Sequence, residues 1–220
     1  MFVTFEGIEG SGKSTQLKRL AQELESRGVS VVCTHEPGGT PVGEAIRAIL
    51  LDPHSRMEPG TELFLMMASR RELVDQVVRP ALRDGKVVLS DRYVDASFAY
   101  QGFGRGVPEE AVRQLARWAC EEVWPDHTVL FDLEASEGLA RCLPLQKAES
   151  QSGQGDRIER CGAEFLEKVR RGYLELARRD PQRFVVIPVT GTEEETYKLM
   201  VSALRPLLGT LLLGTPLLGT

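Results

Sequence analysis

A glycine-rich motif near the start of the chain limits the folds that the sequence can adopt. Residues 7–14 read GIEGSGKS and match the pattern GxxxxGK[ST]. The motif follows an apolar run and precedes a segment of helical period, which is the strand–loop–helix context of a phosphate-binding loop. In such a loop, backbone N–H groups and the positive end of the following helix point at phosphate oxygens. The motif therefore predicts an α/β fold with a nucleoside triphosphate site.

The side chains of this loop suit particular tasks at that site. Lys13 can place its charge on the β- and γ-phosphates, and the Ser14 hydroxyl can ligate Mg²⁺. Glu9, at a variable position, would face the phosphate acceptor and Mg²⁺, with an exposed loop carboxylate as the alternative. The loop residues expected to bind ATP are Gly7, Gly10, Ser11, Gly12, Lys13, Ser14 and Thr15.

Apolar runs alternate with helical segments along the rest of the chain. This alternation is typical of βαβ units around a parallel sheet. Candidate strands are residues 2–6, 29–34, 86–90, 128–132 and 184–188. Helical spacing relates Leu17, Leu20, Ala21 and Leu24, and likewise Phe165, Val169, Tyr173 and Leu176. Residues 61–82 read as a helix buried on several sides. We predict a P-loop NTPase-type parallel sheet of about five strands, flanked by helices.

The composition excludes several classes of nucleotide-binding protein. The chain contains no Asn, so it lacks the guanine-reading Asn-Lys-x-Asp motif and the catalytic-loop Asn of protein kinases. Its net charge of −5 disfavours binding to nucleic acid, because the phosphates of nucleic acid attract positively charged proteins. The chain has no apolar stretch of about 18 uncharged residues, and its widely spaced cysteines indicate a reducing, cytoplasmic compartment. A mechanical ATPase stays open, but a small-molecule phosphotransferase fits best.

Six short segments, taken in order, resemble the motifs of one family. They are FEGIEGSGKST at 5–15, EPGGT at 36–40, ASRR at 68–71, SDRY at 90–93, AYQGFGR at 99–105 and DRIE at 156–159. Together they resemble thymidylate kinases, from residue 2 to about residue 204. The resemblance implies a Mg²⁺-dependent, generally homodimeric enzyme of dTTP biosynthesis that phosphorylates dTMP with ATP. The alternatives are a kinase for another nucleoside monophosphate and an ATP-gated regulatory module without turnover.

Charged residues follow two of the predicted strands, at the edge where open α/β sheets bind ligands. Glu36 can accept a sugar hydroxyl or contact the magnesium shell, with a turn or helix-start charge as the alternative. Asp91 can hold Mg²⁺ through water and Arg92 can clamp a phosphate, with a structural ion pair as the alternative. The resemblance assigns Arg70 to the acceptor phosphate and leaves Arg71 as structural.

The resemblance also identifies residues for the nucleobase. It points to Gln101, whose amide can pair with O4 and N3–H of thymine. Ser97 and Tyr100 lie one helical turn around it, and Tyr100 could obstruct a ribose 2′-OH or simply pack in the core. Met66 stands where the family commonly stacks a Phe on thymine. It keeps apolar contact but loses the aromatic face, so base binding would depend more on Gln101.

Two segments lack helical or strand periodicity. Residues 143–156 are polar and rich in Gly, Ser and Gln, and are predicted to be a lid without regular structure. Because the phosphate-binding loop has no Arg, the resemblance requires a basic lid residue to neutralise the moving phosphoryl group, and we expect Arg157 or Lys147 to do so. Residues 207–220 repeat LLGT and are predicted to be a tail outside the catalytic domain, residues 1–206.

Overall fold

A computed structural model describes residues 1–149, 157 and 161–209, with the side chains of residues 143–149 left out. Over these residues the chain forms a five-stranded, all-parallel sheet in the order β2-β3-β1-β4-β5. The strands are β1 (Phe2–Glu6), β2 (Val31–His35), β3 (Val87–Asp91), β4 (His127–Asp132) and β5 (Phe184–Pro188). The predicted fold class is confirmed.

Helices connect the strands and cover both faces of the sheet. They are α1 (Lys13–Ser26), α2 (Pro41–Leu51), α3 (Pro59–Leu73), α4 (Arg79–Arg83), α5 (Val94–Ser97), α6 (Glu109–Cys120), α7 (Ala135–Glu149), α8 (Gly162–Arg179) and α9 (Glu193–Leu208). π-Helical segments join α3 to α4 (Val74–Val78) and follow α5 (Phe98–Gly104). None of the described helices combines the length and the apolar composition needed to cross a membrane.

The two faces of the sheet pack against different sets of helices. Along β1, Val3 and Phe5 belong to a core shared with α1, α8 and α9, whereas Phe2 points into a second core with α3 and α6. Strand β3 alternates in the same way, with Val88 on the second side. This burial on both faces explains why these two strands appear in the sequence as largely apolar runs. The predicted helical stripe Leu17, Leu20, Ala21 and Leu24 is buried.

The predicted helix over residues 61–82 is present, but it is not uniform. It consists of α3, the π-helical segment and α4. Leu63, Met66 and Met67 are buried, whereas the side chain of Phe64 is 63% exposed. The expectation of burial on several sides is therefore wrong for one face of α3, because that face has no neighbouring element in the described part of the chain.

The boundaries of the predicted lid and tail need correction. Helix α7 continues to Glu149, so residues 143–149 are helical, in keeping with the helix-forming Leu, Gln, Lys and Ala there. Residues 150–156 lie outside the described residues. At the C-terminus, α9 includes Leu207 and Leu208, and Leu208 is buried. It extends the apolar stripe of Met200 and Leu204 by one more turn, whereas residues 210–220 lie outside the described part.

Replacing Leu208 by alanine is expected to destabilise the protein although this residue belongs to the LLGT repeat. A buried Leu→Ala change costs about 2–5 kcal/mol, and a position near a helix end should fall at the lower limit. This corresponds to a loss of roughly 4–8 °C in Tm for a chain of this length. Leu199→Ala, at an exposed site of the same helix, is the control. Equal Tm values for the two variants in thermal denaturation would contradict the corrected boundary.

Candidate active site

The glycine-rich loop connects the end of β1 to the start of α1 at the carboxyl edge of the sheet. Gly7 has a φ of 138°, and a Cβ at this position would lie 2.5 Å from the carbonyl oxygen of Phe131. Gly12 adopts the left-handed conformation directly before α1. Glycine meets both demands without strain. The chain can therefore curl into a loop at the N-terminus of a helix, which attracts anions.

Lys13 is the buried cation of this loop. Its Nζ donates to the carbonyl oxygen of Ile8 at 2.8 Å and to Oγ of Ser11 at 3.3 Å. Oγ of Ser11 also donates to the Ile8 carbonyl at 2.8 Å. Burial, followed by the nearby charge of Arg92, lowers the pKa of Lys13 to about 8. The loop thus holds a poorly solvated ammonium group, ready for a polyanion.

Ser14 and Asp91 meet beside the loop. Ser14 is at the first turn of α1 and Asp91 ends β3, and the Ser14 hydroxyl donates to Oδ2 of Asp91. The two oxygen ligands predicted for Mg²⁺ are thereby brought together. Across the described residues, no group of three His, Cys, Asp or Glu side chains is placed to hold a metal ion. Mg²⁺ is usually bound by one or two protein carboxylates together with phosphates and water, and this pair fits that requirement.

Arg92 connects the loop to the acceptor side. Its backbone has a φ of 69°, unusual for a residue other than glycine. Its Nη2 donates to Oε1 of Glu9 at 2.7 Å, and its Nη1 donates to the carbonyl oxygen of Gly7 at 2.7 Å. The hydroxyl of Tyr100 donates to both oxygens of Glu9, at 2.8 and 2.9 Å. Glu9, Arg92 and Tyr100, three predicted site residues, thus form one network.

A buried carboxylate that the sequence analysis did not single out supports this network. Glu6 accepts hydrogen bonds from the backbone N–H of Tyr93 and from the hydroxyl of Tyr173, both at 2.7 Å. Burial, together with the charge of Asp95, raises the pKa of Glu6 to about 8 against the opposing effect of Tyr173, Arg92 and Tyr93. Glu6 fixes the backbone directly after Arg92 and so supports that residue's unusual conformation.

These groups surround a cavity of about 410 Å³. The P-loop contributes Glu9, Gly10, Lys13 and Ser14, and β3 and the following turn contribute Asp91 and Arg92. The far wall consists of residues from other elements: His35, Glu36, Pro37, Arg47, Leu50, Leu51, Glu62, Met66, Ala96, Tyr100, Gln101, Cys142 and Arg157. Most of the predicted acceptor residues therefore share one cavity with the catalytic loop. Thr15 is exposed and is not part of this wall.

The predicted base-recognition residues Met66 and Gln101 both line the cavity. Gln101 is 2% exposed, and its Nε2 donates to Oε1 of Glu62 at 2.8 Å. Glu62 lies one helical turn before Met66 on α3 and is buried as well. The sequence analysis did not identify Glu62, although it is the only carboxylate in the apolar first half of α3, four residues before Met66, and this position is a usable signal. Arg47 was also not predicted, and its place in the wall depends on how α2 packs.

The structure corrects the interpretation of Arg70. Its side chain is fully buried in an ion pair with Glu36, with Nη2 at 2.6 Å from Oε2. Nη2 also donates to the carbonyl oxygen of Tyr93, and Nη1 donates to Ser97 Oγ and to Met67 Sδ. All five N–H groups therefore have protein partners, since Nε also donates to Glu36, and none faces an acceptor phosphate. Ser97, expected to bind substrate, is fully buried against Arg70 and does not line the cavity.

Arg157 lies on the acceptor side of the cavity. Its Nη1 donates to Oε2 of Glu62 at 2.6 Å and its Nε to the carbonyl oxygen of Leu50 at 2.8 Å. Neutralising a phosphoryl group at the loop would require Arg157 to leave these contacts, so that role stays a prediction. The side chain of Lys147 lies outside the described residues.

Comparison with known proteins gives one consistent finding. The family model described as thymidylate kinase matches residues 5–199. A thymidylate kinase of Pelobacter propionicus is 47% identical over 203 residues, covering 91% of this chain and 92% of its own length. One of Deinococcus radiodurans is 45% identical, with 89% and 91% covered. The crystal structure of thymidylate kinase from Ehrlichia chaffeensis aligns with a TM-score of 0.74 at 32% identity, covering 93% of this chain and 98% of that one.

Proposed function

Because the chain belongs to the thymidylate kinase family, we propose that its 410 Å³ cavity is the site where dTMP meets the γ-phosphate of ATP. The protein is a phosphotransferase that phosphorylates dTMP to dTDP with ATP, a step of dTTP biosynthesis. One observation carries the placement of the site. Lys13 of the phosphate-binding loop and Gln101 of the predicted base site line the same cavity.

We place the triphosphate on the loop of residues 7–15 and the monophosphate across the cavity. Arg92 lines the cavity and contacts the loop through the Gly7 carbonyl and Glu9, and it can hold the acceptor phosphate. Arg47 is one of three arginines in the wall, with Arg92 and Arg157, and it takes over the phosphate role first expected of Arg70. Gln101 reads the thymine edge, with Met66 against the ring and Tyr100 beside the sugar.

The transfer itself depends on position and charge rather than on covalent catalysis. Lys13 neutralises charge on the β- and γ-phosphates. Arg92 positions the phosphate oxygen of dTMP close to the γ-phosphate. Glu9 holds Arg92 and Tyr100 in place through three hydrogen bonds of 2.7–2.9 Å. Glu36 lines the cavity, and we retain it as the acceptor of a sugar hydroxyl, in addition to its hydrogen bonds from Arg70. Arg157 and Lys147 are retained as the basic residues that close over the phosphoryl group.

We propose Ser14 and Asp91 as the protein ligands of Mg²⁺, Asp91 acting directly or through water. Their side-chain oxygens are already in hydrogen-bond contact beside the loop. Bound there, Mg²⁺ would neutralise negative charge on the ATP phosphates. Among the described residues this pair offers the hard oxygen ligands that the ion prefers.

We further propose a homodimer, formed through α2, α3 and α6. Large apolar side chains are exposed on these neighbouring helices, with Phe64 at 63%, Trp118 at 77% and Ile49 at 50%. Exposed apolar patches of this kind mark association surfaces. Sedimentation velocity checks this proposal, because a monomer of 24.4 kDa at micromolar concentration would contradict it. A cytoplasmic location is proposed on the ground that the widely spaced cysteines are typical of a reducing compartment.

The segment of residues 143–156 is proposed as the lid and residues 210–220 as a tail without a catalytic role. The lid proposal is supported by its two flanks, because Cys142 and Arg157 both line the cavity. A segment that starts and ends at the cavity wall is well placed to cover it.

A steady-state assay tests the function. ATP and Mg²⁺ are supplied with dTMP, dCMP, dUMP, dAMP, dGMP or UMP in turn, and ADP release is measured. We expect the highest kcat/KM with dTMP, because Gln101 can pair with N3–H and O4. A higher kcat/KM with dCMP or a purine nucleotide would favour a kinase for another monophosphate. ADP release that no monophosphate stimulates would favour a regulatory module.

A further inference from the structure

Glu62 is a buried carboxylate at the base end of the cavity. It lies on α3, and its two oxygens accept hydrogen bonds from two distant segments of the chain. Oε1 accepts from Nε2 of Gln101 at 2.8 Å, and Oε2 accepts from Nη1 of Arg157 at 2.6 Å. Arg105 adds a second positive charge at 3.4 Å. No step of the proposed transfer uses this residue.

An ionised carboxylate can only accept hydrogen bonds, so it dictates the orientation of any amide beside it. The NH₂ group of Gln101 must face Glu62, and Oε1 must therefore point away from it. Oε1 of Gln101 is buried and has no partner among the described residues. One N–H of Nε2 is used by Glu62, which leaves the second N–H, adjacent to Oε1, for another acceptor. Gln101 thus presents one acceptor and one donor in a fixed order.

The surroundings of Glu62 keep it ionised. Burial alone would raise its pKa, but the hydrogen bond from Gln101 and the charges of Arg105 and Arg157 outweigh burial, so the pKa is below its usual value. The carboxylate therefore stays an acceptor throughout the neutral range.

We propose that Glu62 is a positioning residue for thymine specificity, which it sets by locking the amide of Gln101 with Oε1 towards the base. The inference rests on the proposed role of Gln101 as the base reader. In this orientation Oε1 accepts N3–H of thymine and the second N–H of Nε2 donates to O4. Cytosine presents the reverse order, an unprotonated N3 and an N4 amino group, and would place two acceptors and two donors face to face. Binding cytosine would therefore leave two buried polar groups of Gln101 unpaired, and this penalty disfavours dCMP.

The experiment replaces Glu62 by glutamine and compares dTMP with dCMP. Glu62→Gln keeps the shape of the side chain but can donate or accept, so Gln101 is free to turn its amide over. We expect kcat/KM for dTMP to fall, kcat/KM for dCMP to rise, and their ratio to drop at least about tenfold, the effect of roughly one hydrogen bond. KM for ATP should stay within about twofold. Calorimetric binding of the two nucleotides gives the same comparison where turnover of dCMP is slow.

Two variants separate positioning from general damage. Glu58→Gln makes the same chemical change at an exposed position four residues earlier. It should leave the ratio of kcat/KM for dTMP to that for dCMP unchanged. Glu62→Asp keeps an acceptor-only side chain, so it should retain more of the dTMP preference than Glu62→Gln even where kcat is lower. An equal loss of kcat/KM for dTMP and dCMP in Glu62→Gln would overturn the inference, because a merely structural role lowers both.

Gln101→Ala distinguishes failure of this inference from failure of the proposed base reader. If Gln101→Ala lowers the ratio and Glu62→Gln does not, only the positioning role is refuted. If Gln101→Ala leaves the ratio unchanged, Gln101 does not read the base and both ideas fall. In the double variant, Glu62→Gln should change the ratio no further than Gln101→Ala alone, since the two residues act as one unit.

Discussion

Replacing Lys13 by alanine should lower kcat for dTMP phosphorylation by at least about 100-fold, the usual consequence of removing one preorganised electrostatic partner of a transition state. The ammonium group is buried inside the loop, held by the Ile8 carbonyl and Ser11. Its task is to neutralise charge that spreads over the phosphoryl oxygens during transfer. Water admitted by the alanine cannot supply a fixed positive charge, so the loss should appear mainly in kcat.

The matched control is Lys18→Ala, which removes an exposed lysine from the same helix. Its kcat should stay within about twofold of the unaltered protein. Single-turnover measurements, with the enzyme in excess over dTMP and with saturating ATP, separate the chemical step from product release. A folded Lys13→Ala variant with near-normal turnover would show that the loop of residues 7–14 does not bind the transferred phosphate as proposed.

The glycine loop and the sheet could be predicted because their determinants are local in sequence. Gly7 and Gly12 adopt positive φ angles that only glycine accepts freely, and their spacing is visible in the motif itself. The central strands β1, β3 and β4 are buried on both faces, so each appears as a largely apolar run, as in residues 2–6. The edge strand β5 is apolar as well, although Val186 is 43% exposed. Observed and predicted boundaries differ by two residues at most, because strand ends depend on where neighbouring strands stop pairing.

The roles of Arg70 and Glu62 could not be predicted because they depend on contacts between distant segments. Arg70 and Arg71 are adjacent, and nothing local shows that one is fully buried while the other lies at the surface. Glu62 obtains its partners Gln101 and Arg157 from segments 39 and 95 residues away in sequence. The acceptor half of the site is assembled by packing, whereas the phosphate half is encoded in one loop.

The C-terminal tail shows a second reason why a boundary predicted from the sequence can be wrong. The LLGT repeat predicts that residues 207–220 form one unit, because the composition changes at residue 207. The helical stripe of Met200, Leu204 and Leu208 overrides this grouping, since a buried side chain at the next i+4 position stabilises another turn. The composition changes at residue 207, whereas the helix ends at Leu208. The structural boundary therefore lies two residues after the compositional one.

Arg70→Met should destabilise the fold strongly, and the reason is the buried ion pair rather than the phosphate role first expected. The Met side chain fills much of the same volume, but it leaves the Glu36 carboxylate buried without its cation. Removing one partner of a buried pair costs about 3–5 kcal/mol. For a domain of this length that corresponds to a fall in Tm of roughly 6–20 °C, measurable by thermal denaturation without nucleotide.

Arg71→Met is the control for Arg70→Met, and adding Glu36→Leu tests whether the unpaired carboxylate causes the loss of stability. Arg71 makes only partly exposed ion pairs with Asp75 and Glu121, so Arg71→Met should cost less than about 1 kcal/mol. Adding Glu36→Leu to Arg70→Met removes the stranded carboxylate, and part of the lost stability should return because an apolar pair has no charge left to solvate. A Tm for Arg70→Met within about 2 °C of the unaltered protein would mean that solvent or another group reaches Glu36. Arg70 would then again be a candidate ligand of the substrate.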